Sequence, residues 1–401
     1  MTDVDDLRIG VIGIGQRAPV ALHAHRPGEG ARVVGCADPA PDGQSYAGEL
    51  FGADVAVHPD HQGLLDMGLD AVMVLTPDDQ HTEPVLAALR AGVAVFVEKP
   101  LAISVEDCDL ILETARRTGT RLYVGHNLRH LPALREMRRL IDEGVIGTVK
   151  AVWCRHFVGH GGDYYFKDWH ADRRRTLGLL LQKGAHDLDV IHWLAGAPSR
   201  TVVAMGDLAV YGDPRRRRTG EATPGARMPD WFDATRWPPA ELDELNPVVD
   251  VEDISMMMAT LSNGVLASYQ QCHFTPDYWR NYTVIGDAGR MENFGDAVGE
   301  GDAEIRVWNH HRSGYRADAD LTVPVTEQAG SHGGADEALV AEFLRFAAEG
   351  GATDTSPVAA REAVAAGVAA TRSLRTGSPP VRVPELDPDL VAYFAAGQSS
   401  T

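Results

Sequence analysis

The tripeptide Glu98-Lys99-Pro100 follows Val93-Ala94-Val95-Phe96-Val97, a run apolar at every position. Such a run suits a strand covered on both faces. In a doubly wound sheet the carboxyl ends of strands face the ligand crevice, so an amine there is placed for chemistry. About 80 residues upstream, Gly13-Ile14-Gly15-Gln16-Arg17-Ala18 fits GxGxxG/A. The first glycine makes the tight turn, the second lets backbone approach a pyrophosphate, and the small third residue lets helix pack on strand. A helix N-terminus after the turn would add unpaired N–H groups and a positive dipole end.

A second strand over Arg32–Ala37 ends in Asp38, an acid placed to bind the adenosine ribose. An acid repels a 2′-phosphate, and no arginine lies beside it, which favours NAD; Arg17 could reach the pyrophosphate and keeps NADP as the alternative.

The elements that must position these residues alternate. Strand-like runs at Leu7–Ile14, Arg32–Ala37, Ala53–Val57, Asp70–Leu75 and Arg121–Gly125 interleave with helical segments running to His25 and over Glu83–Ala91 and Val105–Thr118. This rhythm argues for a parallel sheet with crossover helices. Beyond about residue 130 it changes. A helix over Pro132–Glu143 precedes a strand over Val149–His156, and a helix spans Leu179–Ala195. Asp253–Ser268 turns at Asn263-Gly264 as a hairpin. Tyr282–Glu292 turns at Gly286–Gly289, and late helices cover Glu337–Ala348 and Pro357–Leu374. Residues 212–247, with the run Arg215-Arg216-Arg217-Arg218, read as a polar surface insertion whose arginines are solvated or face another subunit.

Composition narrows the function. The 401 residues are 44% hydrophobic, enough for a large core and two domains. A formal net charge of −20 makes phosphate backbones and anionic membranes poor partners. Cys36, Cys108, Cys154 and Cys272 lack metal or disulfide spacing. Without an apolar leader or a membrane-length apolar run, the chain is expected to be cytoplasmic.

The glycine turn, Thr76-Pro77 with His81, Glu98-Lys99-Pro100 and the later Gly184-Ala185-His186-Asp187-Leu188-Asp189 together resemble the Gfo/Idh/MocA family, which includes glucose–fructose oxidoreductase and inositol dehydrogenase. Gly286-Asp287-Ala288-Gly289 and Gly333-Gly334-Ala335-Asp336 extend the likeness. It implies an α/β chain: a Rossmann domain over 1–126, then an α/β domain over 127–401 with a large open, mainly antiparallel sheet, the late helices free to pack back on the first domain. It implies hydride transfer between nicotinamide and a secondary alcohol of a sugar, glycoside or cyclitol. By likeness, Thr76, Pro77, His81 and Glu98 contact the cofactor, Lys99 sits beside the reacting hydroxyl next to a cis Lys99–Pro100 bond, and Asn127 and Arg129 lie near substrate. A homodimer or homotetramer through the open sheet is the expected assembly.

This chain departs from the family at one position. Gln182 stands where the family has an aspartate four residues before its histidine, His186. On one helix, Gln182 and His186 would share a face and look into the crevice, Gln182 hydrogen-bonding a substrate hydroxyl without exchanging a proton. Proton transfer then falls to His186 as acid/base, with Lys99 polarising the oxygen and Lys183 third in line. Asp189 would orient the site. Tyr165, Trp169 and His170 form a stretch suited to stacking on a sugar face, and the many nearby histidines suit a polyol pocket better than a metal. Two other readings follow from the missing aspartate: a redox-assisted lyase or glycosidase that holds NAD tightly, and a sensor that binds NAD or sugar without turnover.

Overall fold

Runs of valine and isoleucine broken by glycine build a parallel sheet in the first third of the chain. The computed structural model describes residues 6–220, 237–295, 303–326 and 331–398. Strands β1 (Leu7–Ile12), β2 (Ala31–Ala37), β3 (Ala56–His58), β4 (Ala71–Val74), β5 (Ala94–Glu98) and β6 (Leu122–Gly125) lie in the order β3-β2-β1-β4-β5-β6. All five pairings are parallel. The order reverses between β1 and β4, so the crevice opens where Gly13 and Thr76 leave the sheet. Helices α1 (Pro41–Phe51), α2 (His61–Leu65), α3 (Thr82–Arg90) and α4 (Val105–Thr118) carry the crossovers. Ser104 caps α4 by accepting from the Asp107 N–H, and Gly119 ends it in a left-handed conformation.

The segment after the glycine turn differs from expectation. Ala18–Ala24 is a 3-10 helix of 7 residues with Pro19 in its first turn. It is too short to present an α-helical N-terminus to a phosphate, so donors there are the N–H groups of the loop itself.

The second half builds a larger sheet around α5 (Pro132–Asp142), α6 (Arg173–Thr176), α7 (Leu179–Gln182) and α8 (Gly184–Ala195). Its strands are β7 (Val149–Phe157), β8 (Ser199–Asp207), β9 (Ile254–Leu261), β10 (Leu266–Cys272), β11 (Trp279–Gly286), β12 (Arg290–Phe294), β13 (Ala303–Trp308), β14 (Leu321–Val325) and β15 (Val381–Arg382). The order is β14-β13-β12-β11-β7-β10-β9-β8-β15, with β7–β10 parallel and the other pairings antiparallel. Alternation sends Val152, Cys154, Tyr269 and Met257 into the core. The same alternation leaves Trp153, Met205, Met256, Met258 and Leu266 on the outer face, 46–63% exposed.

Three late helices return to the first sheet: α9 (Ala335–Glu349), α10 (Pro357–Arg375) and α11 (Pro388–Ala395). Leu339, Val340, Phe343 and Phe346 of α9 pack with Ile9, Val11, Phe96 and Tyr123 on one face. Ala360, Val364, Leu390 and Phe394 pack with Val72, Val95 and Ile111 on the other.

The polar insertion is anchored within the molecule. Arg216 donates to the Val210 and Pro239 carbonyls, Arg217 to those of Gly212 and Val249, and Arg218 to that of Lys167, whereas Arg215 pairs with Asp213 at the surface. The arginine run thus satisfies loop carbonyls, and the reading of it as a solvated or intersubunit patch is corrected except at Arg215. Residues 221–236 of the predicted insertion lie outside the described residues. Tyr211, Leu242, Leu245 and Val249 form a small core with Phe166, beside Tyr165.

Candidate active site

The glycine turn meets the demands of a dinucleotide cradle. Gly13 has φ +89°, and a Cβ there would lie 2.8 Å from the Thr76 nitrogen. Gly15 has open space where its Cβ would be, room for a pyrophosphate to approach. Gln16 is exposed on the rim. Asp38, half-buried, accepts from the Ile14 N–H at 2.7 Å and the Ala40 N–H at 2.8 Å. It therefore braces the turn, and a carboxylate's remaining lone pairs suffice for ribose hydroxyls. Gly13→Ala combines a left-handed strain of about 1–2 kcal/mol with a backbone clash. We expect it to weaken NAD binding at least ~tenfold in a calorimetric titration.

Two of the expected cofactor contacts are engaged elsewhere. Arg17 turns away from the phosphate position, its Nε 2.6 Å from Glu98 and its guanidinium forked onto Asp336 at 2.7 and 2.8 Å. The two carboxylates override burial and hold Arg17 firmly charged. His81 is fully buried, Nδ1 2.8 Å from the Pro100 carbonyl and Nε2 2.9 Å from that of Thr76. It pins the loop after β5 to the loop after β4, and is a brace rather than a cofactor ligand. Thr76 donates to the Gln80 carbonyl, closing the 78–80 turn behind Pro77. Glu98 also accepts from the Lys99 N–H at 2.9 Å, and the Lys99–Pro100 bond is cis.

Lys99 reaches across to the second domain and donates to the Gln182 carbonyl at 3.2 Å. Burial lowers its affinity for a proton, opposed by Asp78, Tyr165 and Glu98. His186 is 9% exposed, and its Nδ1 is buried without a hydrogen-bond partner. Burial first, then Lys99, Arg280 and Lys183, push its pKa well below the ordinary imidazole range. The ring is neutral at neutral pH and able to accept a proton. Lys183 lies 5.5 Å from the Tyr165 ring centroid, facing the same cleft. Tyr165 meets His170 and His273 edge-on at 5.1 and 5.0 Å, and Trp169 stacks on His170.

The helix expected over 179–195 is two segments joined at Lys183, whose backbone stays helical. Gln182 does not present its amide as an open substrate contact. Its side chain is turned to the Asp78 carboxyl, and its Oε1 is buried without a partner.

Three residues expected on the substrate side, Asn127, Arg129 and Asp189, are committed internally. Arg129 forks onto Asp189 at 2.7 and 2.8 Å, both groups buried, with His126 3.6 Å from the same carboxylate. Asn127 donates to Asp336 at 3.0 Å. These side chains support the wall behind His186, whose ring meets His126 at 6.5 Å. Arg129→Met would leave the Asp189 carboxylate buried and unpaired. We expect a loss of about 3–5 kcal/mol in urea denaturation.

Several groups went unassigned in the sequence. Asp187, fully buried, accepts from His156 at 3.0 Å and Tyr282 at 2.5 Å and pairs with Arg280 at 2.8 Å. Burial works against its charge, but Arg280 and His156 hold the carboxyl far below the usual range. This hub fixes the start of α8 and hence His186. Arg280 carried no motif; β11 pairing opposite His156 of β7 brings it there. Asp78 lies between Thr76-Pro77 and His81, just past β4, where strand-end topology could have picked it out. Among the described residues no three His, Cys, Asp or Glu side chains form a metal-binding group.

Residues 7–126 match the family model described as an oxidoreductase family with an NAD-binding Rossmann fold, and residues 138–383 match its C-terminal alpha/beta domain. The chain belongs to the Gfo/Idh/MocA oxidoreductase family. NAD is accordingly the cofactor of its glycine turn. Among Gfo/Idh/MocA relatives, 2,7-anhydro-N-acetylneuraminate hydratase of Mediterraneibacter gnavus is 35% identical over 46% of this chain and 48% of its own length. Inositol 2-dehydrogenase 2 of Saccharopolyspora erythraea is 33% identical over 49% of this chain and 56% of its own. The chain thus spans about half the length of these relatives. Levoglucosan dehydrogenase, solved with NADH and levoglucosan, superposes with a TM-score of 0.73 over 95% of this chain and 100% of its own, at 20% identity, and so shares the fold.

Proposed function

We propose that the protein transfers hydride between NAD and a secondary alcohol of a sugar, glycoside or cyclitol. The observation that carries this reading is a buried imidazole, His186, one helical turn after Gln182, whose carbonyl accepts from the Lys99 amine at the crevice end of β5. Bound NAD supplies the hydride acceptor. His186 takes the hydroxyl proton as the alcohol becomes a carbonyl, and Lys99 as ammonium polarises the oxygen. Tyr165 and Trp169 offer aromatic surface for a sugar ring, with His170 between them as a polar contact. The relatives named for inositol and levoglucosan support a polyol substrate. A panel of sugars, anhydrosugars, glycosides and inositols with NAD, read by absorbance of NADH, tests it. NADH should accumulate with at least one polyol.

Three observations favour a second reading, a redox-neutral hydration or elimination. Gln182 replaces a carboxylate, Lys183 faces the cleft, and a relative is named as a hydratase. That reading yields product without NADH and exchanges substrate C–H for solvent deuterium, so both readouts on one panel separate the two.

The apolar outer face of the large sheet supports a homodimer or homotetramer, since an exposed patch of this kind invites self-association. Light scattering should report a mass of at least twice the 43.3 kDa chain. Among the described residues no helix is long and apolar enough to cross a membrane.

A further inference from the structure

Gln182 leaves its helix without a carboxylate, yet a buried one lies on the loop after β4, which His81 ties to the Lys99-Pro100 loop. Asp78 opens the 3-10 turn Asp78–Gln80 after β4. It is 4% exposed, and its Oδ2 is buried without a hydrogen-bond partner. Among the described residues no salt bridge holds it. The Gln182 side chain lies against it, while the Gln182 carbonyl accepts from Lys99 Nζ at 3.2 Å. Asp78 and Gln182 therefore border Lys99 from two sides, the Gln182 carbonyl in contact with the amine and Asp78 beyond ion-pair distance.

We propose that Asp78 is the relocated carboxylate of this active site, a positioning residue that acts on the Lys99 ammonium through space while the Gln182 carbonyl holds the amine. The neighbouring acids are otherwise committed: Glu98 to Arg17 and the Lys99 N–H, and Asp79 to Arg175 at 3.1 Å. The remaining groups facing Lys99 do not replace it. Lys183, His81, His126, His170 and His186 are basic, and Tyr165, half-buried, keeps its hydroxyl protonated. Burial pushes the Asp78 carboxyl up to about 7 even with Lys99 pulling it down, while burial draws Lys99 downward. A pair whose proton affinities approach each other can adjust its charge to the reaction. Gln182 fits this arrangement, because a second carboxylate at position 182 would crowd Asp78 with like charge.

The test titrates Lys99 directly. Competitive labelling with acetic anhydride, followed by mass spectrometry across neutral to alkaline pH, reads where Lys99 loses its proton. In Asp78→Asn that point should fall by on the order of one pH unit. In Asp78→Asn/Gln182→Asp, which moves the carboxylate back to the helix, it should return. A merely structural Asp78 would not be rescued from across the cleft. An unchanged titration in Asp78→Asn, or a shift that Gln182→Asp fails to reverse, overturns the assignment. Should Asp78→Asn not fold, Asp78→Ser decides: the Lys99 titration point should fall as stated, and no fall refutes the proposal. The activity arm rests on the dehydrogenase reading. With a polyol that reduces NAD, kcat should fall roughly tenfold in Asp78→Asn and recover in the double variant. Labelling that behaves as stated while no polyol reduces NAD would sink the dehydrogenase reading and leave the Asp78 assignment standing.

Discussion

Lys99→Met should lower kcat by about 10²–10³-fold while NAD binding stays within ~twofold of the parent. The size follows from how the amine is held. It stands at the end of β5, its backbone N–H fixed by Glu98 and the next residue's carbonyl tied to His81. Its Nζ is already aimed across the cleft at 3.2 Å from the Gln182 carbonyl. A charge preorganised in a desolvated site is worth far more than one in water, and methionine keeps the stem without the charge. NAD binding is spared because the turn at Gly13–Ala18 and Asp38 does not depend on the amine. Lys99→Arg should not restore turnover, since a planar fork cannot replace a point charge in this space. Single-turnover kinetics and a separate NAD titration check both halves. Near-parental kcat in Lys99→Met would remove Lys99 from the chemistry.

His186→Gln is the second large effect. Loss of a general base costs about 10²–10⁴-fold. Its pH dependence carries a definite sign. The folded-state pKa of His186 is depressed, so the neutral, proton-accepting ring persists through neutral pH and is lost only as pH falls well below the ordinary imidazole range. The acid limb that belongs to His186 should therefore lie at low pH in kcat/KM profiles of alcohol oxidation, and vanish in His186→Gln. Glutamine keeps a hydrogen bond to substrate but cannot carry the proton, so kcat should fall far more than KM changes. If His186→Gln keeps near-full turnover, the base is another residue.

Much of this site was legible because its parts are local. A glycine turn between a strand and an acid-terminated strand, and an amine at the end of an apolar run, announce themselves by spacing alone. The roles that changed depend on partners distant in sequence. Arg129 reads as a substrate contact until Asp189, 60 residues on, occupies both arms of its fork. Arg17 reads as a phosphate ligand until Asp336, 319 residues on, claims it. His81 lies in the expected loop, but its ring serves two carbonyls that only the folded loops bring together. The first helix fails for a local reason: seven residues with Pro19 in the first turn settle into a 3-10 helix.

The bond between Arg17 and Asp336 bears on how this molecule can be taken apart. The loop that would hold the dinucleotide is fastened by a residue from the far end of the chain, and the sheet beneath it is roofed by α9 on one face and by α10 and α11 on the other. The NAD-binding unit is thus contiguous in sequence but not self-sufficient. A chimera that transplanted residues 7–126 alone would expose apolar surface on both sides of the sheet and leave Arg17 with Glu98 as its one remaining carboxylate of the two. Recombination within this architecture has to exchange both ends of the chain together, and the tail must coevolve with the cofactor loop it fastens.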